Sequence, residues 1–384
     1  MDVDAPGGLL RAFAQLEDPR MDRTKRHSLS DILAIAICAT ICGADDWSKM
    51  ELFGRCKEKW FRTFLELPNG IPSHDTFRRV FMLLEPEAFE QCFMSWVAQL
   101  SHASGGRLIA VDGKTIRRSL DRANNKAAIH MVSAWCEDNA MVLGQVATDD
   151  KSNEITAIPR LLKLIDISNA VVTIDAMGCQ KHIAKAIIEQ DGDYVLQLKG
   201  NQTGLHDETV ALFDQCLRDD CLGIEHTTAR TFNKGHGRIE QRTIWATEDV
   251  RWFAERGKWK NLRSLARVLC ERTVEGETSR EYHYYISSLP ANDPHRLLSY
   301  IRGHWSVENK LHWSLDISFG DDDRRTRTGY GAENASRLAR IALNLLKAEK
   351  TLKASIKSKR LMCGWEHNYL LKVLTGPAKE NLDA

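Results

Sequence analysis

Tyr300 to Phe319 reads YIRGHWSVENKLHWSLDISF. Ile301, Trp305, Leu311 and Leu315 recur at helical spacing, which predicts one helix with an apolar stripe facing a core. Glu308 lies on or beside that stripe. A carboxylate placed there without a partner costs several kcal/mol, so Glu308 should meet a cation, a donor or a metal. Upstream, two apolar runs each end in an acid followed by a small residue: RLIAV into Asp112-Gly113, and AVVTI into Asp175-Ala176. Such runs predict strands buried on both faces, whose ends open where ligands bind α/β sheets. Asp112, Asp175 and Glu308 are therefore the candidate catalytic and metal-binding carboxylates. Hard oxygen ligands suit Mg²⁺ or Mn²⁺, and two such ions ~3.5–4 Å apart serve phosphoryl transfer. The competing reading of each acid is a helix cap or a turn residue.

Around this frame the chain divides. Residues 1–104 read as helical: a short helix over Leu9–Leu16 and an apolar helix over 31–42 with Ser30 as N-cap. An amphipathic run over 47–64 and a helix begun by Pro72-Ser73-His74 follow. DNA binding and plain packing or dimerisation stand as equal readings of this module. Ser104-Gly105-Gly106 marks a boundary. Residues 105–198 then alternate strands and helices, with a hairpin around 137–139. Residues 199–290 look like an insertion of one helix and short strands. Residues 291–346 return to the core, and 347–384 form a basic helical tail. The fold class expected is α/β, a mixed sheet covered by helices.

The 384 residues exceed one ordinary core, and 43% hydrophobic with 27% charged content describes a globular protein. Net charge is only +1, yet Arg324–Lys372 carries twelve Lys/Arg against Glu333, Glu349 and Glu366. That excess suits a polyanion such as DNA, although solvated basic helices look alike. One long helix over 333–357 is expected to put Lys350, Lys353 and Lys357 on a common face. Arg238, Glu240 and Arg242 alternate onto one strand face behind the Gly235-His236-Gly237 turn, which reads equally as a phosphate-approaching loop or a plain turn. The ten cysteines make no paired CxxC sets, which argues against structural zinc and for reduced thiols. The start MDVDAPGG lacks the apolar run of a signal peptide, and the longest apolar stretch is too short for a bilayer, so a cytoplasmic protein is expected. His304, Glu308 and His312, at i, i+4 and i+8, offer a rival zinc or iron hydrolase site.

The strings IAVDGKTIRRS (109–119), VTIDAMGCQ (172–180), LKGNQ (198–202), GHGRIEQR (235–242) and IRGHWSVENKLHWSLDISF (301–319) together resemble the bacterial insertion-sequence DDE transposases, closest to the H-repeat-associated group. The leader strings DPR…RHSLSDILAI (18–36) and SHDTFRRVF (73–81) extend the likeness over nearly the whole chain. The resemblance implies a ribonuclease-H-like core interrupted by an insertion before the Glu helix. It implies Asp112, Asp175 and Glu308 as the metal triad, and two-metal cutting and joining of insertion-sequence DNA. In the broader superfamily a Tyr, an Arg and a Lys stand at −7, −4 and +7 from the Glu; here those places hold Ile301, His304 and Leu315. Tyr300 and Arg302 lie nearby on other faces. Lys114, Lys199, Asn201, Arg238, Arg242, Arg302, Lys350, Lys353 and Lys357 are the candidate DNA contacts. Double-stranded DNA, at element ends and target, is the expected partner, with oligomeric state, including a homodimer on DNA, left open. A catalytically silent, transposase-derived DNA-binding protein is the alternative.

Overall fold

The computed structural model describes residues 11–100, 107–120, 127–148, 154–218, 224–235, 237–253 and 255–375. The N-terminal helices are α1 (Leu29–Ile41), α2 (Trp47–Phe61), α3 (His74–Leu83) and α4 (Pro86–Leu100). Helix α1 is apolar on nearly every side, so it sits at the centre of the module. Its N-cap is Ser28, not the expected Ser30: Ser28 has extended backbone and its Oγ accepts from Asp31 N–H at 3.0 Å. Ser30 already lies within the first turn.

Nine strands form one mixed sheet in the order β3-β2-β1-β4-β5-β9-β8-β7-β6. The first five are β1 (Leu108–Thr115), β2 (His130–Cys136), β3 (Met141–Thr148), β4 (Val171–Ile174) and β5 (Asp193–Leu198). Strand β1 runs parallel to β4 and β4 parallel to β5, while β2 lies antiparallel between β1 and β3. Helices α5 (Glu154–Leu162) and α6 (Lys181–Ile188) make the crossovers on either side of β4. The strands expected over 129–135, 141–147, 170–174 and 194–198 and the 137–139 hairpin occur within a residue of their expected ends, but β1, expected to stop at Val111, runs four residues further to Thr115.

The segment after Leu198 differs from expectation. Following α7 (Thr203–Arg218) come β6 (Thr227–Gly235), β7 (Arg238–Thr247), β8 (Ser264–Val274) and β9 (Glu277–Ser287). These are long strands, and they extend the core sheet, because β9 pairs antiparallel with β5 from Val195↔Ser287 to Leu198↔Tyr284. Gly237 takes φ +71°, the left-handed value that favours glycine; the rest of that turn, at His236, and the expected Ser104-Gly105-Gly106 boundary lie outside the described residues.

Helix α8 (Pro294–His304) leads into a π-helical turn, Val307–His312, and then α9 (Trp313–Phe319). The predicted single helix is thus interrupted. Trp305, expected in the core, is 53% exposed, whereas Ile301, Leu311 and Leu315 are buried. A π turn takes an extra residue, which shifts the phase of everything after it.

Helix α10 (Gly331–Ala348) joins the helical module to the sheet. Asn334 donates to Phe81 O and Leu84 O, Asn344 bonds both N–H and C=O of Val142, and Arg337 Nε pairs with buried Glu90 at 2.8 Å. The helix does not run on to 357. Glu349 turns extended, its carboxylate accepts from Thr351 N–H at 2.6 Å, and Ser355 caps a new helix, α11 (Ile356–Trp365), followed by α12 (His367–Thr375). Lys350 and Lys353 therefore sit in the connection and Lys357 in α11, so the expected common helical face does not form; all three are exposed. The tail packs inward: Arg360 reaches Thr40 O at 2.8 Å and also pairs with Asp45. Among the described residues eight cysteines are free, but Cys216 is disulfide-bonded, against the expectation of reduced thiols throughout. Among the described residues no helix is long and apolar enough to cross a membrane.

Candidate active site

The register of the central strands brings the first two acids together. Val111 of β1 pairs with Ile174 of β4, so the next residues, Asp112 and Asp175, stand side by side where strands lie ~4.8 Å apart. Asp175 follows the end of β4 as expected, but Asp112 lies inside β1, paired with Ser133 of β2, because β1 runs on to Thr115. Helix α8 lies across β1 and β4, its Gly303 tight against Leu108. The π turn that follows places Glu308 on the wall of a cavity of about 360 Å³, which Asp112, Asp175, Lys199, His304 and Trp305 also line. Glu308 is exposed there rather than buried on the apolar stripe.

Each side chain is held differently. Asp175 Oδ1 accepts from the N–H groups of Met177 at 3.0 Å and Gly178 at 3.3 Å, which fixes its direction. Burial, then the charge of Asp175, pushes the Asp112 carboxyl up to about 7. His312 Nδ1 lies 3.5 Å from Asp112 Oδ2. Burial, helped by Arg340 and Lys114, depresses His312 to about 3, so its imidazole is neutral at pH 7. Burial also lowers His304, whose Nδ1 is 3.1 Å from Thr173 Oγ1.

The donor set has the chemistry of a hard divalent-cation site: two crowded carboxylates on neighbouring strands, whose repulsion a cation relieves, and a third on the same cavity. As they stand, no three His, Cys, Asp or Glu side chains among the described residues are grouped to hold a metal ion. The rival His304–Glu308–His312 site is not assembled: His304 turns to Thr173 and His312 to Asp112, and the π turn breaks the i, i+4, i+8 register.

The candidate DNA contacts sort into two groups. Lys199 and Arg302 are exposed, Lys199 at the cavity itself. Arg238 and Arg242 flank Glu240 on one face of β7 at 3.0 and 2.8 Å. Lys114, by contrast, is buried, with its ammonium 2.6 Å from Asp316 and 3.2 Å from Asp322, so it presents nothing to a phosphate. The Asn201 amide is spent on Ala176 O at 2.6 Å, tying its loop to the one after β4. Sequence reasoning missed the buried His130–Glu154 pair behind Asp112, and missed Gln197, His283 and Tyr285 as cavity walls from β5 and β9. Only the folded register brings these together; no spacing announces them.

Two family models match the chain: "DDE_Tnp_1-associated" over residues 10–97 and "Transposase DDE domain" over residues 103–345. The chain is 40% identical over 370 residues to "Putative transposase YncI" of Escherichia coli O157:H7, covering 95% of this chain and 94% of that one. It is 38% identical over 373 residues to "H repeat-associated putative transposase YhhI" of Escherichia coli K12, covering 96% and 98%. Among solved structures it is similar to a piggyBac transposase in a synaptic complex with hairpin DNA, with TM-score 0.43 and 12% identity, over 99% of this chain and 84% of that one.

Proposed function

The chain belongs to the transposase family defined by the DDE domain, and from that premise we propose that it cuts insertion-sequence DNA at the element ends and joins it to target DNA. The observation that carries the reading is the side-by-side placement of Asp112, within β1, and Asp175, just past β4, on one cavity with Glu308. The strand order β3-β2-β1-β4-β5, with β2 alone running antiparallel to the other four, supports a ribonuclease-H-like core. When bound, Mg²⁺ or Mn²⁺ supplies Lewis acidity for phosphodiester hydrolysis and strand transfer, with Asp112, Asp175 and Glu308 as the residues that hold it.

The remaining roles belong to the chain's own groups. Backbone N–H donors behind Asp175 aim its carboxylate into the cavity. Lys199, at the same cavity, takes a phosphate near the scissile bond. Arg238 and Arg242, kept in a row by Glu240, and exposed Arg302, Lys350, Lys353 and Lys357 make salt-dependent backbone contacts. Lys114 and Asn201 serve the fold instead.

The test is an Mg²⁺-dependent cleavage assay on DNA carrying the sequences that flank the reading frame, with Asp112→Asn, Asp175→Asn and Glu308→Gln. Each variant should lose cleavage while still retarding that DNA in a gel. A variant that cuts at the wild-type rate removes its residue from the site. Wild type that shifts the DNA and never cuts it leaves the catalytically silent DNA-binding protein as the function.

A further inference from the structure

Behind Asp112, sealed from the cavity, lie two titratable groups that the proposed reaction does not use. His130 opens β2 and Glu154 opens α5, and they are 2% and 4% exposed. His130 Nε2 and Glu154 Oε1 share a hydrogen bond, and His130 Nδ1 lies 2.8 Å from Thr115 Oγ1. Side chains alternate along β1, so Asp112 and Lys114 face one way and Gly113 and Thr115 the other. The pair fills the place a side chain at Gly113 would take: a Cβ there would run into both His130 Nε2 and Glu154 Oε1, with Glu154 Cδ at 2.8 Å. Gly113 is thus the platform on which the pair rests, one residue from the first acid.

Glu154 also brings charge. It stands in the first turn of α5, where the helix dipole favours a carboxylate, and its charge is felt at Asp112. We infer that Glu154, rested on Gly113 and hydrogen-bonded to His130, adds the field of a further carboxylate to the cavity from beneath, tightening its hold on divalent cations. The inference rests on the triad as a cation site.

The experiment measures Mn²⁺ binding to the whole protein without DNA, from the electron paramagnetic resonance signal of free Mn²⁺, with thermal melting alongside. Glu154→Gln keeps the packing on Gly113 and drops the charge; Glu154→Asp keeps the charge and shortens the arm. Glu154→Gln should bind Mn²⁺ roughly fivefold or more weakly, the least that one unit charge within ~9 Å of a divalent ion contributes even at a water-like dielectric of about 80. Glu154→Asp should stay within about twofold of wild type, because the field acts at a distance. Equal binding by wild type and Glu154→Gln, or an equal loss in Glu154→Asp, overturns the inference. An Asp112→Asn control that binds like wild type overturns the cation site itself, which separates the two failures. If Glu154→Gln does not fold, His130→Gln takes its place: it keeps Glu154 and should not weaken Mn²⁺ binding, and a fivefold loss there overturns the inference as well.

Discussion

Gly303 is where the helix leading to the third acid touches the strand that carries the first. A Cβ at 303 would penetrate Leu108 Cδ2, with Leu108 Cγ at 3.6 Å, and Leu108 is itself packed among Val171, Val195, Leu298 and Ile301. Carbon atoms need ~3.5–4.0 Å, so Gly303→Ala obliges strand or helix to retreat by more than ~1 Å. Two stability effects oppose each other. Overpacking costs about 1–3 kcal/mol, while Ala in place of Gly inside a helix returns about 1 kcal/mol. The net loss is about 0–2 kcal/mol, so the protein stays folded. Activity should fall much further, because a displacement of ~1 Å between reacting groups can cost about 100-fold. Removing the obstacle should restore it: Gly303→Ala with Leu108→Ala should cleave faster than Gly303→Ala alone, even though Leu108→Ala by itself costs about 2–5 kcal/mol of stability. Urea unfolding and DNA cleavage on the four proteins of this cycle make the measurement. Gly303→Ala cutting at the wild-type rate, or no recovery in the double variant, refutes the argument that this contact spaces Glu308 from Asp112.

Two further outcomes follow from charges the fold has enclosed. Burial works against the Glu349 carboxylate, but hydrogen bonds from Thr351, Tyr369 and Lys359 outweigh it and hold the group at about 2, against its ordinary 4.5. A depressed carboxylate stabilises above its unfolded value and loses that stabilisation as pH falls from 4.5 toward 2, so Glu349→Gln should cost about 3 kcal/mol at pH 7 and about 1 kcal/mol at pH 3 by urea unfolding; a gap that does not narrow contradicts the network. Lys114→Gln strands Asp316 and Asp322 and should destabilise by about 1–3 kcal/mol, yet leave the salt dependence of DNA binding unchanged, since its ammonium is enclosed; a shallower slope would put Lys114 back on the DNA.

The parts of the fold legible in the sequence are those where burial writes a simple pattern. The runs before Asp112 and Asp175 are apolar on both faces because helices cover the sheet there, and they stand where expected. The outer strands were harder: β9 begins with six exposed residues, Glu277 to Tyr282, and gives no apolar alternation to read. Trp305 misled because periodicity assumes a constant 3.6-residue turn, which the π segment violates. The lysines after 347 misled because Glu349 looks like any solvent-facing helix residue, while its side chain in fact closes the helix and then anchors the tail. For the candidate site, the acids were readable one at a time, but His130 and Glu154 are joined only by the pairing of β2 with β1 and the placement of α5 beneath them.

The unbroken run of backbone pairing from β4 through β5 to β9 has a mechanical consequence. An appendage on a flexible tether could swing freely without disturbing the chemistry. Here the outer four strands are welded to the plate that bears Asp175, so a load on their distal rim arrives at the acid as torsion of a single continuous blade.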